Sequence, residues 1–145
     1  KALGERFADE SGDAAERIAL SHKHRVVGRE LIADDAGLLM SALESGMAEA
    51  AVDVVLFTGG TGVSPTDITV ETIRPLLEKE LEGFGEILRS RSFRRIGPAA
   101  ILTRATAGIR RGKLLLCLPG SPDGVKTALG LFMRDLPHVV YLSRG

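Results

Sequence analysis

Two glycine-containing segments each follow a short apolar run. Thr58-Gly59-Gly60-Thr61-Gly62 comes after Val52–Phe57, and Pro119-Gly120-Ser121-Pro122 comes after Leu114–Leu118. Glycine lets backbone amides approach a ligand closely, and the N-terminus of a following helix favours anions. Since ligands of open α/β sheets bind at the carboxyl ends of the strands, the two turns predict one anion-binding crevice. The first turn alone is also compatible with a plain structural hinge.

Neither turn matches the common nucleotide-binding motifs. No Gly-Lys-[Ser/Thr] follows the first turn, which excludes a Walker P-loop, and the third glycine of the dinucleotide fingerprint is absent. No arrangement of Ser, His and Asp or of Cys and His indicates a covalent nucleophile. The expected chemistry is therefore the positioning and charge neutralisation of anions.

Carboxylates stand near both predicted edges of this crevice. Asp67, followed by Thr69 and Glu71, lies five residues beyond the first turn, and Asp34 follows the apolar residue Ile32. Mg²⁺ prefers oxygen ligands and is commonly held by one or two carboxylates together with phosphates. Asp67 is thus a candidate magnesium ligand. Each aspartate could instead cap the next helix, and for Asp67 this would involve Thr69 in support.

Segments of helical and strand-like periodicity alternate along the chain. The predicted order is a helix after Ser11–Asp13, a strand at Val26–Ile32, a helix from Asp34 or Asp35, a strand at Val52–Phe57, a helix over 69–82, a break at Gly83–Gly85, a helix over 86–94, a strand at Leu114–Leu118, a helix over 123–135 and an edge strand at Val139–Leu142. This alternation predicts an α/β fold, a three-layer α/β/α sandwich with a mainly parallel sheet. Because such folds usually begin on a strand, either the sheet lacks that strand here or it lies before residue 1.

Length and composition limit the class of protein. The 145 residues, 44% of them apolar, suffice for a single domain spanning 1–145 with a packed core. The sequence shows no signal-peptide pattern and no run of apolar residues that would span a membrane, and Cys117 is its single cysteine. A cytoplasmic protein without a membrane partner is expected.

Charge is distributed unevenly. Residues 1–88 carry 8 basic and 17 acidic side chains, whereas residues 89–145 carry 11 and 2. A basic surface would attract an anionic ligand, although the two halves could equally neutralise one another on folding. Nucleic acid is not an expected partner, because no basic run is interleaved with aromatic residues.

Six motifs occur in one unbroken order, within a region of resemblance that runs from about Asp9 to Lys126. They are Thr58-Gly-Gly-Thr-Gly62, Asp67-x-Thr69-x-Glu71, Glu82-Gly-Phe-Gly-Glu86, Arg94-x-Ile96-Gly97, Thr103-Arg104-Ala105 and Leu118-Pro-Gly-Ser-Pro122. Together they resemble the molybdenum-cofactor biosynthesis family, specifically the stand-alone molybdopterin adenylyltransferases and their MogA/MoaB-like relatives. The family's first strand, which ends in a Ser-Asp or Ser-Asn pair, has no counterpart in this chain.

The resemblance implies a homotrimer, or a hexamer of paired trimers, and a Mg²⁺-dependent reaction of ATP with molybdopterin. The products would be adenylylated molybdopterin and pyrophosphate, and other molybdenum-cofactor enzymes would be partners. Asp67 matches the family's essential aspartate and Asp34 a second important one. The remaining residues would bind substrate or phosphate: Thr58, Gly59, Gly60, Thr61, Gly62, Thr69, Glu71, Arg104, Pro119, Gly120, Ser121 and Lys126.

Two other functions are compatible with parts of the pattern. A non-catalytic molybdopterin-binding or scaffold protein of the same pathway would keep the anion pocket without turnover. The related domain of competence/damage-inducible proteins shares a glycine turn followed by an aspartate, but the segment Gly83-Phe84-Gly85 argues against it.

Overall fold

The computed structural model describes residues 9–145. The α-helices are α1 (Glu10–Ser21), α2 (Ala36–Ala48), α3 (Thr69–Ile73), α4 (Glu82–Ile96), α5 (Pro122–Phe132) and α6 (Leu136–Ser143), and the strands are β1 (Val54–Thr58), β2 (Lys79–Glu80), β3 (Thr106–Arg110) and β4 (Lys113–Leu118). Short 3₁₀ segments cover Arg74–Leu76, Gly97–Leu102 and Met133–Asp135. None of the helices in the described part of the chain is both long and apolar enough to cross a membrane.

The four strands form one mixed sheet in the order β1-β4-β3-β2. β1 is parallel to β4, with Thr58 opposite Leu118, whereas β3 is antiparallel to β4 and β2 to β3. The prediction of a mainly parallel sheet is therefore correct only for the β1–β4 pair. β3 was not predicted, and it joins β4 through the two-residue turn Arg111-Gly112, in which both residues have positive φ.

Helices cover both faces of the sheet, so the predicted three-layer α/β arrangement is confirmed. Along β4, Leu114, Leu116 and Leu118 belong to a core shared with α1, α4 and α5. Leu115 and Cys117, which alternate with them, pack with residues of α2 and α3 on the opposite face. This period of two on a strand buried on both faces explains its uninterrupted apolar sequence.

The predicted strand at Val26–Ile32 is wrong for this structure. Residues 25–33 have no regular secondary structure, and they line a cavity of about 1230 Å³ together with β1. β1 is an outer strand of the sheet formed by the described residues, so this edge has no hydrogen-bonding partner there. A strand requires a neighbour, and residues 26–32 have none among residues 9–145.

Two further element predictions need correction. The helix expected over 69–82 ends at Ile73, because Pro75 has no N–H and its ring obstructs a continuing α-helix, and β2 then begins at Lys79. The break expected at Gly83–Gly85 lies inside α4. A Cβ on Gly85 would lie 3.0 Å from the Ala105 carbonyl oxygen, so this glycine permits close packing rather than ending the helix.

The C-terminal segment is helical. Val139–Leu142, expected as an edge strand, lies in α6, which has Pro137 in its first turn and buries Leu136 and Val140. These two residues are four positions apart and so share one helical face. The helix expected over 123–135 is present as α5 and the 3₁₀ turn that follows it.

Candidate active site

The two glycine turns are in contact. Because β1 and β4 are parallel neighbours, their carboxyl ends lie at one edge of the sheet. The Gly59 amide donates to the Leu118 carbonyl at 2.9 Å. A Cβ on Gly120 would lie only 3.1 Å from Gly59 Cα. The predicted adjacency of the turns is thus confirmed, and a side chain at position 120 would crowd it.

The first turn has a backbone conformation that suits glycine. Gly59 and Gly60 have φ angles of 91° and 69°. A Cβ on Gly60 would overlap Thr69 Oγ1, and the Thr69 amide donates to the Gly60 carbonyl at 3.1 Å. Thr61 and Thr69 are both buried, and the turn packs against the start of α3. Thr58, at the end of β1, is half-buried.

Asp67 stabilises the loop after the first turn and does not cap α3. Its Oδ2 accepts from the Ser64 amide at 2.9 Å, and its own amide donates to the Ser64 carbonyl at 2.9 Å. Ile68 is the N-cap residue of α3 and makes no side-chain cap. Asp67 Oδ1 accepts no hydrogen bond from residues 9–145. The half-buried carboxylate also lies against Gly62, where a Cβ would be 2.7 Å from Oδ2.

Asp34 is exposed, and the helix cap is its neighbour Asp35. Asp35 Oδ1 accepts from the Leu38 amide at 2.9 Å at the start of α2. This decides between the two capping candidates and leaves Asp34 without a capping role. Asp34, Thr58 and Thr69 line the same cavity. No cluster of three or more His, Cys, Asp or Glu residues suited to a metal occurs between residues 9 and 145.

Arg104 and Glu71 pair with each other. Arg104 Nη1 and Nη2 each lie 3.0 Å from a Glu71 carboxylate oxygen. Arg104 Nε and Nη2 donate to the Gly62 carbonyl at 2.9 and 2.6 Å. The hydrogen bond from Arg104 lowers the pKa of Glu71, which favours its charged form. Both residues therefore lie at the first turn, joined to it and to each other.

The second turn is held by a residue that the site prediction did not include. Ser11, at the start of α1, is buried, and its hydroxyl donates to the Gly120 carbonyl at 2.5 Å. Asp9 caps the same helix end by accepting from the Gly12 amide at 3.0 Å. The sequence Asp9-x-Ser11-Gly12 is typical of a helix start, but nothing in it indicates that Ser11 contacts Gly120.

Beyond the second turn the chain enters α5 at once. Ser121 is its N-cap and accepts from the Gly124 amide at 3.0 Å, and Pro122 occupies the first turn. Pro119 packs so close to Gly124 that a Cβ there would lie 2.6 Å from the proline ring. Lys126 is exposed, and its side chain forms no ion pair or hydrogen bond within residues 9–145.

Cys117 lies inside β4, close to the second turn in sequence, but it is not a plausible nucleophile. Burial raises the pKa of its thiol to about 12. Its side chain is 1% exposed and packs in the core. Any chemistry at this edge is left to carboxylates, backbone amides and cations.

Fold and site define a three-layer α/β domain whose candidate site is a pair of touching glycine turns with an aspartate beside the first. A family model described as "Probable molybdopterin binding domain" matches residues 1–138. The chain belongs to this family, the molybdenum-cofactor biosynthesis domain.

Named relatives agree with this assignment. The chain is 39% identical over 134 residues to molybdenum cofactor biosynthesis protein B of Bacillus subtilis, covering 91% of this chain and 79% of that protein. It is 40% identical over 148 aligned positions to the molybdopterin adenylyltransferase of Pyrococcus furiosus, covering 99% and 85%. The crystal structure of the tungsten cofactor synthesizing protein MoaB from Pyrococcus furiosus superposes with a TM-score of 0.89 at 39% identity, covering 98% of this chain and 89% of that one.

Proposed function

We propose that this protein is a molybdopterin adenylyltransferase. In the proposed reaction a terminal phosphate oxygen of molybdopterin attacks the α-phosphorus of ATP. The bond from that phosphorus to the bridging oxygen breaks, and the products are adenylylated molybdopterin and pyrophosphate. The observation that carries the proposal is the contact between the two glycine turns with Asp67 beside the first. A relative that bears this enzyme's name supports it.

Such a reaction requires two anions to be positioned and their charge to be neutralised. Backbone amides of the first turn, Thr58 to Gly62, and of Pro119-Gly120-Ser121 at the second would hold the phosphates; the proline contributes shape rather than an amide N–H. Thr58 and Thr69 would offer hydroxyl groups, since both line the cavity at this edge. Lys126, exposed and free of an ion pair in the described chain, would supply a positive charge.

The residues present fit a magnesium ion delivered with ATP. Asp67 Oδ1 is free of hydrogen bonds within residues 9–145, and Asp34 is exposed on the same cavity as Thr58. Mg²⁺ bound with phosphates typically uses one or two protein carboxylates, so a three-carboxylate cluster is not required. Asp67 would hold the ion, which when bound neutralises charge on the phosphates, and Asp34, which lines the cavity with Thr58, would help to organise Mg-ATP.

We also propose the homotrimer implied by the family, with pairing of trimers as the route to a hexamer. Five large apolar side chains on α4 and the 3₁₀ turn after it are at least half exposed: Ile87, Phe93, Ile96, Ile101 and Leu102. Exposed large apolar side chains would be covered if this part of the molecule formed a subunit contact. Other enzymes of the pathway, to which the product would be passed, are the further partners we propose.

The open edge of β1 supports the expected additional strand. The cavity of about 1230 Å³ is lined by β1 and residues 25–33, and also by residues of α1, α2 and α6. A strand preceding residue 1 would complete the sheet there and cover the unpaired edge. The remaining chain, 1–145, would then form one domain with it, and we place the protein in the cytoplasm, where ATP is available.

The decisive experiment is Asp67→Asn assayed for pyrophosphate release with molybdopterin and Mg-ATP. Because a carboxamide keeps the loop contact to the Ser64 amide but loses the charge, we expect turnover to fall by at least ~100-fold with an unchanged fold. Asp135→Asn is the matched control, since Asp135 is exposed and makes no side-chain cap. It should retain full activity.

Two outcomes would contradict the proposal. Normal turnover by Asp67→Asn would remove Asp67 from the mechanism. Binding of molybdopterin by the unaltered protein without any pyrophosphate release would favour a non-catalytic binding or scaffold protein of the same pathway.

A further inference from the structure

We propose that Arg104 and Glu71 are positioning residues that fix the first glycine turn, and that neither is a direct phosphate ligand. This inference rests on the proposed function for its kinetic consequence, but not for its structural one. It reverses the expectation drawn from the family resemblance, in which both residues belonged to the group that contacts substrate.

Arg104 already uses four of the five N–H donors of its guanidinium in contacts with Gly62 and Glu71. Each of its three nitrogens makes a contact, either to the Gly62 carbonyl or to the Glu71 carboxylate, at 2.6 to 3.0 Å. Its backbone amide also donates to the Thr61 carbonyl at 2.8 Å. The one remaining N–H, on Nη1, can make a single hydrogen bond, so a bidentate contact with a phosphate would require breaking the fork with Glu71.

Glu71 has a corresponding role on the other side of the pair. Glu71 lies in the first turn of α3. The first residue of that helix, Thr69, donates through its amide to the Gly60 carbonyl. The lowered pKa of Glu71 keeps it charged and paired with Arg104 at neutral pH. A carboxylate that stays ionised beside an anion site repels phosphate unless its charge is matched, and here Arg104 matches it.

Gly62 transmits the effect of the pair to Asp67. The carbonyl of Gly62 receives the two Arg104 hydrogen bonds, and its Cα packs against the Asp67 carboxylate. Asp67 in turn holds the loop through the Ser64 amide. Loss of the Arg104–Glu71 pair therefore frees Gly62 and, with it, the carboxylate that is proposed to hold the metal. The expected kinetic effect is on turnover rather than on substrate affinity.

A double-mutant cycle with Arg104→Gln, Glu71→Gln and the combined variant tests this role. Each single change should lower kcat by about 10-fold, with the KM for ATP within about twofold of its original value. Because both act through one contact, the double variant should be no slower than the slower single variant. Arg104→Lys should not restore kcat, since a lysine cannot bind Gly62 and Glu71 with the same fork.

A direct phosphate ligand would behave differently. Arg104→Gln would then raise the KM for ATP strongly, while Glu71→Gln, by removing a negative charge, would leave that KM unchanged or lower it. Opposite signs for the two variants would overturn the positioning role.

Hydrogen exchange separates this inference from the proposed activity. The amides of Ser64 and Asp67 are hydrogen-bonded at 2.9 Å within the loop that Gly62 anchors. We expect both to exchange at least ~10-fold faster in Arg104→Gln and in Glu71→Gln. Arg95→Gln is the control, because Arg95 pairs with the exposed Asp123 on α5 and not with the first turn.

Unchanged exchange in both variants overturns the inference even if turnover changes. A protein without transferase activity would refute the proposed function and leave this measurement valid.

Discussion

The two glycine turns lie in contact, yet they are built differently. The first contains two glycines with positive φ and is followed by a six-residue loop, 63–68, and the short helix α3, which carry Asp67 and Glu71. Its conformation depends on side chains from distant segments, above all Arg104. The second turn has no positive-φ residue and passes at once into the eleven-residue helix α5, capped by its own Ser121.

This difference separates two tasks that an anion site requires. A turn leading into a capped helix presents backbone donors and needs little external support. A carboxylate that must hold a metal needs a fixed position, and the first turn obtains it from Arg104, Glu71 and Thr69. Substitutions that remove support should therefore harm the first turn more than the second.

The largest expected effect on stability comes from Gly60→Ala. Alanine at φ 69° is disfavoured, and its Cβ would overlap Thr69 Oγ1. We expect a loss of about 2–4 kcal/mol in the free energy of unfolding, measured by urea denaturation. Gly59→Ala is the matched control, since its φ is 91° but its Cβ would lie 3.9 Å from the nearest atom.

Gly59→Ala should cost only the conformational part, about 1 kcal/mol. Equal losses for the two variants would show that packing against Thr69 does not hold the first turn, and the contrast between the turns would weaken.

A smaller effect is expected at the second turn from Ser11→Ala. The buried Ser11 hydroxyl donates to the Gly120 carbonyl, and its removal should cost about 1 kcal/mol, measured in the same way. Ser21→Ala is the control, because the Ser21 hydroxyl donates to the Ile18 carbonyl on the exposed side of the same helix. That variant should lose less than ~0.5 kcal/mol. A loss at Ser11 matching that of Gly60→Ala would mean that the second turn depends on outside support as much as the first.

Local sequence signals were sufficient to predict the two turns. Most of the wrong predictions concern features that depend on contacts between residues far apart in the sequence. The pattern of apolar run, glycine turn and helix requires only neighbouring residues, so β1, β4 and α5 could be recognised. The partners of the turns, Ser11 and Arg104, lie 109 and 42 residues away from Gly120 and Gly62. No spacing rule connects residues so distant.

The mistaken elements have the same origin. Val26–Ile32 has strand composition but no neighbouring strand, and Val139–Leu142 has strand composition but packs as a helix on the core. β propensity describes how well a residue fits a pleated surface and does not supply the surface. The hairpin β3–β4 was recognisable in principle, because Arg111-Gly112 is a two-residue turn typical of hairpins.

The smallest expected effect is the pH dependence of the Glu71–Arg104 pair. The pKa of Glu71 is lowered in the folded protein from an ordinary value of 4.5. The pair therefore contributes stability above about pH 4.5, and this contribution is lost as the pH falls through the folded-state pKa. Since Glu71 and Arg104 are 51% and 35% exposed, solvent screening limits it to less than ~1 kcal/mol. The difference in unfolding free energy between the unaltered protein and Glu71→Gln should be largest near pH 7 and decrease as the pH falls below about 4.5. Asp9, whose pKa is also lowered by a hydrogen bond to Arg29, is present in both proteins, so its contribution cancels in this difference.

A difference that stays constant from pH 7 to pH 3 would mean that the charge of Glu71 does not stabilise the first turn, and the geometry of the fork alone would have to do so.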